Sequence, residues 1–163
     1  MRLILWMEAN MFKKKLSKFL CTFALVVAGC SQEGADNSVQ ALPFESVLQA
    51  QQSGITSARQ VTIKDASAWA SLWREHIANA NPAPPVPAVD FTKKMVLGVF
   101  LGQRPNLCYN VAIESVERVG KEKVAVKYRE TKSSGACLQA LAHPAHCVTV
   151  DRLDLPVEFT ELK

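Results

Sequence analysis

Apolar residues along the chain follow three patterns, and each predicts a different element. Strict alternation occurs at Val61 and Ile63, at Tyr109, Val111 and Ile113, at Val124, Val126 and Tyr128, at Val148 and Val150, and at Val157 and Phe159. Successive side chains of a strand point to opposite faces, so each run reads as a half-buried strand. Phe44 to Gln51, with Phe44, Val47 and Leu48, adds a first short strand. Met95 to Leu101 (MVLGVFL) is nearly continuous instead, bounded by Lys93-Lys94 and Gly102. Such a run reads as a central strand covered on both faces. Helical spacing appears at Ala66, Trp69, Trp73 and Ile77, with Leu72 on the same face. Asp65 precedes them as an N-cap whose carboxylate can accept first-turn N–H groups. The spacing predicts a helix over 66–79, with the tryptophans packed on a sheet rather than offered to a sugar. The predicted fold class is α+β, mostly β: an antiparallel sheet or sandwich with one packed amphipathic helix.

Two stretches follow neither period. NPAPPVPAVD carries Pro82, Pro84, Pro85 and Pro87, which forbid helix and central strand and predict a stiff, extended connector. Before Cys30, a basic region (Lys13, Lys14, Lys15, Lys18) leads into a largely apolar run of nine residues, Phe19 to Val27, and then Ala28-Gly29-Cys30. A span of the bilayer needs about twenty apolar residues, so the run reads as an export signal. The cysteine at its junction makes 1–29 resemble a bacterial lipoprotein signal peptide. That class implies cleavage before Cys30 and acylation of its thiol, which anchors the chain to the membrane with two or three lipid chains. Met11 opens a signal of the usual proportions, so residues 1–10 read as a start-site artefact. Residues 30–42 are expected to be the lipidated cysteine and a flexible tether, and 43–163 a single domain. Ser31 after the cysteine favours the outer membrane, facing the periplasm, again by resemblance.

Removing the signal changes the charge. Of 19 basic residues, Arg2 and the four lysines precede Cys30, and of 15 acidic ones, Glu8 does; 14 of each remain. A chain with no net charge has no long-range attraction for nucleic acid, and no nucleic-acid partner is expected. Cys21 leaves with the signal and Cys30 takes lipid, so Cys108, Cys137 and Cys147 remain. In an oxidising compartment, three thiols predict one disulfide and one free thiol, with three pairings open. A turn at His143-Pro144 would bring two strands together and favours Cys137 with Cys147.

Candidate chemistry is sparse. HPAHC places His143 and His146 beside Cys147, but a zinc site needs three or four ligands, and the other candidates are His76, Cys108 and Cys137. His146 and Cys147 would also point to opposite faces of a strand. No G-x-S-x-G elbow or glycine-rich phosphate loop appears. The reading is therefore non-enzymatic, with no metal and no cofactor. The stretch LGQRPNLCYNVAI places a polar, proline-containing loop between two core strands, where recognition residues often lie. Arg104, Pro105, Asn106 and Tyr109 are the candidate binding residues, Arg104 as a bidentate donor and Tyr109 as a flat contact.

The order Trp69, Leu72-Trp73, Val89-Asp90-Phe91, Met95-Val96, Val99-Phe100-Leu101-Gly102, Arg104-Pro105, Tyr109, Val124-Ala125-Val126-Lys127-Tyr128 and Cys137 resembles the PrcB C-terminal domain family. That family is named for a lipoprotein subunit of a bacterial protease complex. The resemblance covers roughly residues 55 to 160. It implies an envelope lipoprotein that binds an exported partner, a protease or its precursor, as a stabilising or maturation subunit. Where family members commonly carry Pro-Thr-Gly-Gly-Tyr, this chain has Pro105-Asn106-Leu107-Cys108-Tyr109, so its loop need not visit left-handed conformations. The loop is also similar to that of chagasin-like cysteine protease inhibitors, which implies an inhibitor presenting residues 103–109. A metal- or redox-binding periplasmic protein using the cysteine–histidine cluster is the third expectation.

Overall fold

The computed structural model describes residues 38–163. The expected signal peptide, the expected lipidation site Cys30 and the beginning of the expected tether lie outside the described residues. Eight strands and one helix follow in the order β1 (Val39–Ala41), β2 (Phe44–Ala50), β3 (Arg59–Ile63), α1 (Ala66–His76), β4 (Lys94–Phe100), β5 (Tyr109–Val119), β6 (Lys123–Lys132), β7 (Ala145–Asp151) and β8 (Val157–Glu161). They form two four-stranded sheets, ordered β1-β5-β6-β8 and β2-β7-β4-β3. No helix among the described residues is long and apolar enough to cross a membrane.

The fold has three layers, and β4 explains why. Met95, Leu97 and Val99 point into a core between the sheets, where they meet Val111, Ile113, Val116, Val124, Val126, Val148 and Val150. Val96 and Phe100 point the other way, into a second core under α1 with Trp69, Leu72, Trp73 and Cys147. A strand buried on both faces must be free of polar side chains wherever it is buried, as this one is from Met95 to Phe100. Gly98 is the break in that run. A Cβ there would lie 2.7 Å from Cys147 Sγ and 2.9 Å from Val61 Cγ2. The missing side chain is the space the thiol fills.

Helix α1 starts as its sequence predicts, with Asp65 Oδ1 accepting the Ala68 N–H at 2.8 Å. It ends at His76, short of the expected Asn79. The proline segment supplies the reason. It runs back along the helix, where Pro87 O accepts the Trp69 indole N–H at 2.9 Å and Pro84 O that of Trp73 at 3.1 Å. The chain must turn immediately after His76 to reach that position. Both indoles are thereby buried without an unpaired donor.

One more expectation is corrected. The tether does not extend to residue 42, because Val39–Ala41 pairs antiparallel with Glu117–Val119 and the Leu42 N–H bonds Val116 O at 2.8 Å. A three-residue, fully exposed edge strand is held by backbone hydrogen bonds and leaves no alternation to detect. The fold class is the one expected, mostly β in two largely antiparallel sheets with one packed helix, and only one strand pair is parallel. β7 lies in the other sheet, so the chain crosses back and enters β8 parallel to β6.

Gly98→Ala should cost about 1–3 kcal/mol through overpacking. Adding Cys147→Ala should recover part of the loss, since it removes one of the two clashing atoms. A double-mutant cycle by urea denaturation measures that coupling.

Candidate functional site

Three connections close one end of the sandwich: residues 51–58 between β2 and β3, 101–108 between β4 and β5, and 133–144 between β6 and β7. Their contacts brace one another. Arg104 and Ala142 exchange both backbone hydrogen bonds, at 2.7 and 2.9 Å. The Leu107 N–H bonds Leu138 O at 3.2 Å, and the Ser133 N–H bonds Cys108 O at 3.0 Å. Gln51 Nε2 reaches Leu107 O at 3.1 Å and Asn110 Oδ1 at 3.0 Å.

A disulfide joins the same loops, and it is not the expected one. Cys108 is bonded to Cys137, with Cα atoms 5.5 Å apart. The predicted Cys137–Cys147 pairing fails because Cys147 lies fully buried in mid-β7, facing the α1 core over Gly98. Burial pushes its thiol up to about 12, so the nucleophilic thiolate is suppressed.

The loop residues predicted to bind a partner separate into two groups. Arg104 is already engaged: its Nε and Nη2 donate to Glu130 at 2.7 Å each, and Nη1 donates to Leu101 O at 2.8 Å and Gln103 O at 3.1 Å. The hydrogen bonds from Arg104 hold the Glu130 carboxyl below its usual range, and the same bonds raise the guanidinium. Arg104 therefore organises the loop from within. Asn106 is likewise turned inward, its Oδ1 accepting the Cys108 N–H at 3.1 Å. Pro105 is exposed, and the half-buried Tyr109 ring carries the Lys132 ammonium 5.3 Å from its centroid.

The histidines weighed as alternative metal ligands lie apart. His146 points into the sandwich, where Nδ1 accepts the Ile113 N–H at 2.8 Å and Nε2 meets Ser46 Oγ at 3.0 Å. An accepting Nδ1 requires the proton on Nε2, so the ring is neutral and both nitrogens are occupied. His143 and His76 instead line a cleft beside the loops. Among the described residues no three His, Cys, Asp or Glu side chains converge on a common point.

Sequence patterning missed the most exposed feature of this end. Leu138 is 73% exposed and Leu141 53%, both on the 133–144 loop. The signal was present in CLQALAH, where leucines occur with neither strand nor helix companions. No family model matches the chain, and no curated protein or solved structure matches it.

These contacts generate three predictions. Burial lowers the pKa of His146 and of His76 below the ordinary value of 6.5. The unfolded chain then binds more protons below pH 6.5, so this stability is complete above that pH and is lost as pH falls further. His146→Ala should cost about 2–4 kcal/mol, through the orphaned Ile113 N–H and the cavity left, and should reduce the loss seen between pH 6.5 and 5 in denaturant titrations. Reducing the disulfide, which closes a separation of 29 residues, should cost about 3–4 kcal/mol on the chain-entropy account. Arg104→Ala should cost about 1–2 kcal/mol in the oxidised protein. Guanidinium midpoints with and without a phosphine reductant test both values.

Proposed function

We propose that the chain is a non-catalytic binding module of the bacterial envelope. Lipid on Cys30 holds it to the membrane, and the braced loop end binds an exported protein. The observation that carries this reading is the pair Leu138 and Leu141, exposed on a loop held by a disulfide, a backbone bridge and the Arg104–Glu130 clamp. Exposed apolar side chains on a preorganised loop lose little entropy when a partner covers them. Net neutrality after the signal favours recognition by surface shape over charge steering. The resemblance to the PrcB family favours a protease or its precursor as partner, with the module as a stabilising or maturation subunit at the outer membrane.

The reading is tested with a photo-crosslinking residue at position 138 of the lipidated protein in its native envelope. Position 121, in the β5–β6 turn at the far end of β5 and β6, is the control. A protease should be captured from 138 and not from 121, and Leu138→Asp in a chain crosslinking from 141 should abolish capture. Identical adducts from 138 and 121 would overturn the loop assignment. The captured protease should keep or gain activity with the module bound; loss of activity would instead make the module an inhibitor. Cys30→Ala should release the protein from membranes, and continued membrane fractionation would remove the lipid anchor from the proposal.

A further inference from the structure

Beside the leucine loop lies a cleft of about 380 Å3, formed by the β2–β3 connection, the end of α1, the proline segment and the entry to β7. That volume falls within the range of small-ligand sites, about 300–1,000 Å3. No Asp, Glu, Lys or Arg lines it.

The lining sorts into committed and uncommitted groups. Ser53 is committed: its Oγ accepts the Ile55 N–H at 3.1 Å and meets His76 Nδ1 at 3.0 Å. The chain around it is pinned as well, with Ser53 N–H on His143 O at 3.0 Å and Gly54 N–H on His76 O at 2.7 Å. Gly54 is required there, since a Cβ would lie 2.3 Å from Glu75 O. The side chains of Gln52, Asn79 and His143 line the cleft and have no hydrogen-bond partner among the described residues. Ile77, Pro84 and Leu141 supply an apolar wall.

Two free carboxamides and one imidazole each offer a donor and an acceptor. A peptide group presents the same pair, N–H and C=O, along an extended chain. A charged side chain would enter without a counter-charge and would lose hydration, so an uncharged segment is selected. A sugar would need an aromatic face, yet Trp69 and Trp73 are 2% and 7% exposed and do not line the cleft. We propose that this cleft is a recognition site for an uncharged, extended peptide segment. Gln52 and Asn79 hydrogen-bond its backbone amides, and Ile77, Pro84 and Leu141 seat one apolar side chain. The inference rests on the reading of the chain as a protein-binding module and adds a second site to it.

The probe is an array of end-blocked hexapeptides without ionisable residues, beside matched arrays carrying one Lys or one Glu, incubated with the purified full chain. Uncharged peptides should bind and the charged matches should not. Ala80→Trp fills the cleft from an exposed position, and it should lower binding by about ten-fold or more, as should Asn79→Asp. Leu138→Asp, which removes the loop contact, should leave peptide binding unchanged. Absence of uncharged binders, or binding that survives both cleft variants, overturns the site. Loss with Leu138→Asp alone also overturns it, because the peptides would then sit on the leucine loop. Partner capture from position 138 in the envelope is read separately, so failure of the cleft leaves the loop reading intact.

Discussion

One imidazole sits where the two sheets must agree on their spacing. His146, the second residue of β7, projects toward β5 and accepts the Ile113 N–H, at the point where the β5–β6 ladder slips between Ile113 and Ser115. A bulge leaves a backbone group without its regular ladder partner, and a buried N–H without any partner costs about 1–3 kcal/mol. The imidazole supplies the acceptor from the opposite sheet, and Ser46 on β2 holds its other nitrogen. The bond ties β2, β7 and β5 together through a ring that must stay neutral. An imidazolium carries protons on both nitrogens and could not accept the Ile113 N–H. The same ring that looked in the sequence like a metal ligand is therefore a fixture of the core.

Layering follows from β4 and β7, the two inner strands of their sheet. Each buries one set of residues against the partner sheet and the other against α1. Space under the helix is limited, and Gly98 and Cys147 occupy facing positions of the ladder. One gives up its side chain so that the other can have one. This packing also decides the redox chemistry. Cys147 is the thiol left over, and its burial keeps it out of exchange with Cys108 and Cys137, which can meet because both lie in the loops that close one end of the sandwich.

Periodicity carried far in the sequence and then stopped for physical reasons. The strands β2 to β8 and the start of α1 were legible because burial imposes a period of two or 3.6 on side chains that face a core. β1 was not, because three exposed residues joined by backbone bonds carry no period. The parallel placement of β8 depends on which sheet β7 joins, which no local pattern records. The disulfide partners are 29 residues apart, and only the closed fold brings their Cα atoms to 5.5 Å. Arg104, expected as a bidentate donor to a partner, is a bidentate donor within the chain. Its carboxylate is Glu130, on a neighbouring strand, rather than a partner's. The cleft was invisible because four separate segments contribute to it, none carrying a motif.

The engaged Arg104 bears directly on how this end can work. A free guanidinium on a glycine-rich loop would offer charge and adaptability. Here residues 103–109 contain no glycine, the guanidinium is neutralised in place, and the loop is joined to its neighbour by a covalent bond and four backbone hydrogen bonds. Each of these features removes freedom from the loop or charge from its surface. Exposed leucine remains above it, with an uncharged cleft alongside. A surface of that kind gains affinity from shape and from entropy already lost in folding. It gains little from electrostatic capture at a distance. In the proposed function, a lipid anchor would compensate for the slow encounter that follows, since holding module and partner at one membrane raises their effective concentration without adding a contact. On this reading the anchor supplies the encounter, and the braced loops supply the selection.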